Sequence, residues 1–447
     1  MTNSIDDLDL ASHAVERLKA YGADASDVLI SASASLSVSC RLGEIEDLER
    51  AESRDIGLRA FVGQSQAFVS ASGADPSMID TLAERAVAMA RNTPADPYCG
   101  LADVDRLAKQ WDDLDLLDTY EPSADELSAK VLEIEERARA HDGITNSEGA
   151  GAGWGRGGTA LVTSHGFSGA YKTSSFSMSC AVLAGTGDKM ERDYASHSAR
   201  HFCDLDTPQN IGERAAKRTL ERLNPRKINS TKAPVIFDKR ISASLIGHLM
   251  GAISGGAVAR GTSFLRQDMN KMIMPKGVSI IDDPLRLRGL RSAAFDGEGL
   301  PMTALKPIDD GHLTCWLLES ATAKQLGLES NARAGRGIGS PPGPSATNLH
   351  MEAGKRSVDD MIKDIGQGLL VTELIGMGVN GVTGDYSRGA SGFWIENGEI
   401  AYPVSEITIA SNLRDMFANL EPANDLSFRQ SVNAPSILIP KMSLAGL

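Results

Sequence analysis

Apolar and polar positions alternate like those of strands over Asp27–Cys40, Asp47–Glu52 and Ile56–Ala71, as in Asp27-Val-Leu-Ile and Gly57-Leu-Arg-Ala-Phe-Val. The pattern then changes. From Pro76 to Arg91 the apolar residues Met78, Leu82, Ala86, Val87, Met89 and Ala90 recur at helical spacing, and Asp75 stands at the N-cap position. A second unit repeats this order. Strand patterning over Thr159–Ser164, Gly169–Ala184 and Asp193–Asp204 is followed by a helix over Thr207–Leu223, buried along Ile211, Ala215, Ala216, Thr219 and Leu220. The units, at about residues 1–92 and 120–226, are joined by Pro- and Asp-rich sequence from Asn92 to Ser123 and a charged helix, Ala124–Ala140.

The segment Asn224-Pro-Arg-Lys-Ile-Asn-Ser-Thr-Lys-Ala-Pro234 is polar and bracketed by prolines, which marks a domain boundary before the strand signal Val235-Ile-Phe. Residues 233–447 read as short strands between glycine-rich loops. Strands are predicted at Gly277–Asp282, His312–Leu318, Asn348–Glu352, Leu369–Leu374, Gly392–Ile395, Ala401–Ala410 and Ser436–Ile439. Helices are predicted at Ile241–Val258, Ser357–Ile365 and Asn412–Leu420. The fold class is therefore α+β in two domains: an N-terminal domain, 1–226, of tandem antiparallel-sheet-plus-helix units, and a β-rich C-terminal domain, 233–447. A chain of 447 residues is long enough for two cores.

Charge narrows the partners. Residues 1–226 carry 23 Lys and Arg against 37 Asp and Glu, whereas the remainder carries 22 of each. An acidic first half disfavours nucleic acid and anionic lipid, so neither is expected as a partner. Five cysteines without a CxxC pair fit reduced thiols in the cytoplasm, and the acidic segment Met1–Leu10 lacks the basic and apolar regions of a signal peptide. The uncharged run between Arg240 and Arg260, with Gly251 and Gly255 in GxxxG spacing, contains His248, three serines and four glycines, so it reads as a buried helix and not a membrane span.

Few motifs carry chemistry. Gly153-Trp-Gly-Arg-Gly-Gly158 matches GxGxxG, but strand patterning and no helix follows it, so it reads as a glycine-rich turn. No phosphate loop and no GxSxG elbow occur. His197, His201 and Cys203 share one face if all three lie on a strand. There they would spread over roughly 20 Å with no carboxylate placed to orient them, so half-buried strand positions are favoured over a metal site. No HExxH occurs anywhere.

Ala243-Ser-Leu-Ile-Gly-His248 followed by Arg260-Gly-Thr-Ser263 is similar to the metal helix of TldD proteins, where HExxGH precedes a like Arg-Gly-Thr-Ser element. Ala243 then stands for the first metal histidine and Ser244 for the glutamate, and His248 alone survives. The chain resembles the TldD/TldE family over nearly its whole length. The likeness rests on Asn146-Ser-Glu-Gly149, Ser164-His-Gly-Phe-Ser-Gly169, Val235-Ile-Phe-Asp238, Ala259-Arg-Gly-Thr-Ser-Phe264, Asp296-Gly-Glu-Gly299 and Thr347-Asn-Leu-His350. It continues through Val379-Asn-Gly-Val-Thr-Gly384 and Ser391-Gly-Phe-Trp-Ile-Glu-Asn-Gly-Glu-Ile-Ala-Tyr-Pro-Val404.

The missing metal motif places the chain in the TldE (PmbA) branch. The resemblance implies a cytoplasmic heterodimer with a TldD-type subunit, or a homodimer when alone. The pair would degrade or trim unfolded peptides and peptide precursors, with zinc on the partner and no cofactor or metal in this chain. Arg260, Gly261, Thr262, Ser263, Asn348, Gly381 and Gly384 are the candidates for a peptide groove, since glycine-rich segments let an extended backbone come close. Those glycines equally suit tight turns. The competing readings are a homodimeric peptide-binding scaffold and a peptidase with ligands such as the His197 cluster.

Overall fold

A computed structural model describes residues 4–446. Its N-terminal half is built on one sheet. Helix α1 (Ser4–Ala20), strands β1 (Ala25–Arg41), β2 (Glu44–Val62) and β3 (Ser65–Ser72), and helix α2 (Ile79–Asn92) form the first unit. Helix α3 (Ala124–Arg139), strands β4 (Ile144–Thr163), β5 (Ser168–Ala184) and β6 (Glu191–Ala199), and helix α4 (Pro208–Glu221) repeat it. The strands run antiparallel in the order β3-β2-β1-β4-β5-β6, so β1 and β4 pair at the centre, from Asp27 opposite Thr163 to Cys40 opposite Ala150.

The two faces of this sheet differ because side chains alternate with a period of two. One face carries Val28, Ile30, Leu36 and Val38 of β1 with Trp154, Phe176 and Met178, and it is covered by α1 and α2 at one end and by α3 and α4 at the other. On the other face, β4 contributes Gly151, Gly153, Gly155 and Gly157 in succession, flanked by Ser35 and Ser37 of β1 and by Ser175, Ser177 and Ser179 of β5. Those five serines are exposed.

Several expectations need correction. Gly153–Gly158 is not a turn: it lies inside β4, because β1 and β5 pair with its backbone on both sides and outweigh the low strand propensity of glycine. A Cβ at Gly153 would sit 3.1 Å from the Leu36 carbonyl oxygen, so the close approach itself favours glycine. The separate strands expected at Asp47–Glu52 and from Ile56 onward are one strand, β2, and the hairpin turn falls at Gly63-Gln64. Strand β6 stops at Ala199, which leaves His201 and Cys203 beyond it. Helix α1 was not expected. It is buried along Leu10, Ala11, Ala14 and Leu18. The first three residues of the acidic N-terminal segment lie outside the described residues.

The C-terminal half is organised around a barrel. Its strands are β7 (Thr231–Phe237), β8 (Gly368–Ile375), β9 (Asp385–Glu396), β10 (Glu399–Asn412) and β11 (Ile437–Ala445). They pair in the order β10-β9-β8-β7-β11, and β11 returns to β10 through Thr408–Ala410. Only β7 and β8 run parallel. Helix α5 (Lys239–Ile253) follows β7, capped by Asp238, and buries Leu245, Ile246, Leu249 and Ile253 against Val235, Phe237 and Val371. The single helix expected over Ile241–Val258 breaks at Ser254, whose extended backbone starts the short helix α6 (Gly255–Ala259). A mixed sheet of five short strands lies beside the barrel, and the strand expected over His312–Leu318 keeps only His312–Leu313. No helix among the described residues is long and apolar enough to cross a membrane.

The halves meet through polar and aromatic contacts. Segment 92–123, which links the two units, also docks on the C-terminal half: Ala108 N–H donates to Gly299 at 2.9 Å and Arg106 to the Ser330 carbonyl at 2.6 Å. Trp111, Phe167 and Tyr171 surround Phe295, with ring centres 4.8–5.3 Å from it. Deeper in the contact, Arg240 of α5 donates two hydrogen bonds, of 2.8 and 3.0 Å, to Asp193 of β6. Arg222 lies 3.6 Å from the same carboxylate and bonds Glu373 at 2.5 Å.

Burial raises the Asp193 pKa, but Arg240, with help from Arg222, more than offsets it and holds the carboxyl below its ordinary value. Its stabilisation is therefore present above about pH 4 and lost as pH falls through the folded-state pKa. Replacing Asp193 by Ala leaves a buried guanidinium, Arg222, and a half-buried one, Arg240, short of a partner, and the expected cost is about 3–5 kcal/mol in urea unfolding at pH 7. The gap between wild type and Asp193→Ala should close as the pH is lowered below about 4. A loss under about 1 kcal/mol at pH 7 would show that the pair does not hold the halves together.

Candidate functional site

Helix α5 forms one wall of a cleft of about 490 Å³. Ala243 and Ser244 line it on the helix side, Thr372, Glu373 and Arg388 on the barrel side, and Gln430 to Val432 close one end. Thr372 sits where the β8–β9 register slips between Val371 and Glu373, a bulge that breaks the regular pairing. One helical turn beyond Ser244 is His248, whose ring meets that of Tyr386 edge-on at 5.9 Å between centres. Both positions fall on one face of α5, as spacing i, i+4 requires.

The polar atoms gathered here have few protein partners. Ser244 Oγ, His248 Nε2, Thr372 Oγ1 and Tyr386 Oη are all buried without a hydrogen bond from the protein. Burial lowers the His248 pKa and nearby Arg388 lowers it further, so the imidazole is neutral at neutral pH. Burial also raises the Tyr386 pKa, which keeps the phenol protonated. Four neutral donor–acceptor groups therefore lie together between α5 and the barrel. The carboxylates lining the cleft, Glu373 and Asp193, are held by Arg222 and Arg240.

Hydrolytic zinc needs about three fixed protein ligands and an open position. His248 has neither a second imidazole nor a thiol grouped with it, and among the described residues no set of three His, Cys, Asp or Glu side chains is placed to hold a metal ion. His197, His201 and Cys203 do not form one face. His197 on β6 accepts a hydrogen bond from the Asp206 backbone at 3.0 Å, with the Asp206 carboxylate at 3.4 Å. His201 lies 3.1 Å from the carboxylate of Asp115, and Cys203 is exposed in a 3₁₀ turn. A carboxylate does lie beside each histidine, contrary to the sequence expectation, although the hydrogen bond to His197 comes from the Asp206 backbone. These carboxylates come from the 115–118 segment and from the loop before α4, which local sequence could not place. Burial lowers the His197 pKa, although Asp206 opposes the shift.

The groove candidates divide into two places. Arg260 is exposed at the end of α6, Gly261 adopts a left-handed turn at φ 72°, and Thr262 N–H bonds back to the Ala257 carbonyl at 2.9 Å. Ser263 is buried, donating to the Ala252 carbonyl at 2.5 Å. The next residue, Phe264, donates to the Gly381 carbonyl at 3.0 Å and so ties this turn to the loop containing Gly381 and Gly384. Asn348 is engaged elsewhere. Its side chain spans the 283–292 loop, donating to Asp283 O and Ser292 Oγ and accepting from Arg291 N–H. Nothing in the local sequence marks Thr372, Tyr386 and Arg388, because only barrel closure brings them to α5.

Comparison with known proteins accords with this architecture. Models of the PmbA/TldA metallopeptidase match in three parts: domain 1 over residues 26–90, the central domain over 118–223 and the C-terminal domain over 230–446. The chain is 41% identical over 425 residues to the metalloprotease PmbA of Escherichia coli O157:H7, covering 95% of this chain and 92% of that one. It is 38% identical over 437 residues to the metalloprotease PmbA homologue of Haemophilus influenzae, covering 97% and 95%. A Bacteroides thetaiotaomicron protein designated a modulator of DNA gyrase superposes with a TM-score of 0.91 at 26% identity, covering 98% of both chains. TldE from Thermococcus kodakarensis shares the fold, with a TM-score of 0.88 at 22% identity over 98% of this chain and all of that one. On this evidence the chain is a member of the PmbA/TldD metallopeptidase family.

Proposed function

We propose that this chain is the non-catalytic partner subunit of a zinc peptidase, pairing with a metal-bearing TldD-type chain to enclose unfolded peptides. One observation carries the reading. The helix that aligns with a metal motif keeps its fold and its cleft but presents Ala243, Ser244 and a neutral, isolated His248. Water activation by zinc needs a ligand set and a base that these residues do not supply. The relatives named metalloproteases support a peptidase-related role for the assembly.

The edge of α5 also suits close contact with an extended chain. Gly247 and Gly251, at i, i+4, are exposed, and a Cβ at either would meet nothing within 4 Å. Nearby the exposed Ile375, Met377 and Val382 flank the loop that carries Gly381, an apolar tip of the kind found at subunit contacts. In the pair, the partner supplies the chemistry and this chain supplies a wall and an interface.

Light scattering on a size-exclusion column should give a 1:1 complex when the chain is mixed with a TldD-type subunit, with digestion of unfolded peptide confined to the mixture. Metal analysis of the chain alone should find no stoichiometric zinc. Two separate species on the column, with unaided cleavage by this chain, would overturn the proposal.

His248→Leu gives a sharper reading. Removing a buried ring nitrogen that has no protein partner should cost little stability, within about 1 kcal/mol at pH 8. Its folded-state pKa lies below the ordinary 6.5, so the wild type loses stability as pH falls below that value, whereas the variant escapes this share of the loss. Turnover by the reconstituted pair should be unchanged. A collapse in turnover at constant melting temperature would place His248 in the chemistry.

A further inference from the structure

A second cleft, of about 440 Å³, lies between the Ser/Gly face of the N-terminal sheet and the C-terminal half, away from α5. Ser31 and Ser33 of β1 and Thr173 of β5 form its floor, Tyr171 and Phe295 stand on one side, and Arg291 and Arg336 line it from the C-terminal half. Its volume is that of a small-ligand pocket.

The hydrogen bonding beneath it does not balance. Asp27, on β1, is paired with both Arg59 and Arg336, and all three side chains are at most 4% exposed. One carboxylate thus serves two guanidinium groups. Arg336 uses Nη2 on Asp27, and its Nε and Nη1 are buried with no acceptor from the protein. The neighbouring carboxyls are already engaged. Glu298 accepts from Ser320 N–H and Oγ at 2.9 and 2.7 Å, and Asp296 accepts from three backbone N–H groups. Burial, together with Asp296, pushes Glu298 up to about 7, which further weakens its compensation of Arg336. Arg291, at the exposed side, forms no ion pair among the described residues, and its own N–H is held by Asn348 so that the loop is fixed. A buried cation with spare donors, an exposed cation beside it and an aromatic wall suit an anion joined to an apolar group.

We propose that this cleft binds the free C-terminal carboxylate of a short peptide, with Arg336 and Arg291 on the carboxylate and the terminal side chain against Tyr171 and Phe295. Such an end group combines a planar anion with an adjacent apolar side chain. The site belongs to this chain alone and goes beyond the subunit reading, so its test needs no partner.

Isothermal titration of the full chain with N-acetyl-Ala-Ala-Phe and with its C-terminal amide provides that test, with inorganic phosphate as a competitor. The acid should bind and the amide should bind about tenfold or more weakly. Arg291→Ala, at an exposed position, should lose about tenfold for the acid with an unchanged melting temperature. Arg336→Lys, which retains a cation beside Asp27 but removes the guanidinium donors, should lose as much. Equal binding of acid and amide, no binding of the acid, or full affinity in Arg291→Ala would each overturn the proposal. Phosphate binding as tightly as the peptide acid would do the same, because the aromatic wall would then contribute nothing.

Discussion

The pairing of β1 with β4 is the interaction on which the molecule depends. Each strand is the inner edge of its own three-stranded unit, and an unpaired edge of this length would be a site for association with other chains. Pairing them removes both edges and fixes register over fourteen residues, from Asp27 to Cys40. It also sets which residues of the two units share a face, since a one-residue slip would move Val28, Ile30 and Leu36 away from their helices. The helix pairs thereby fall on one side, and the opposite side is left to meet the C-terminal half.

That meeting is made in part by buried charges, although the most deeply buried pair, Arg333 with Asp282, lies within the C-terminal half. Asp27 and Asp193 both project from the N-terminal sheet, and each is held by an arginine from the C-terminal half, Arg336 or Arg240. Charged pairs in such a place are directional, so they fix the angle at which the barrel sits. Arg240 belongs to the first turn of α5, so one side chain links the orientation of that helix to the contact between the halves.

Much of this was legible in the sequence. Alternation in β1 and β5, helical spacing in α2 and α4, and the capping residues Asp75, Thr207 and Ser357 are local signals, and each marked its element. The resemblance carried by short motifs spaced along the chain identified the family. Glycine hid the centre of β4, since a residue without a side chain writes no pattern and its strand is imposed by neighbours far away in sequence. The same applies to the site. His248 could be found from spacing on one helix, whereas Tyr386 and Arg388 come from a strand more than a hundred residues later, and Arg336 meets Asp27 only through the packing of two domains.

The row of glycines in β4 between rows of serines has a further consequence. Its backbone groups are spent on neighbouring strands, and its side chains are either absent or a single hydroxyl. A molecule passing over it finds little depth for dispersion contact and few rotamers to freeze. Water already satisfies the hydroxyls, so displacing it gains almost nothing. Such a surface has little grip. The sheet can be broad and flat there without becoming a place where apolar chains stick.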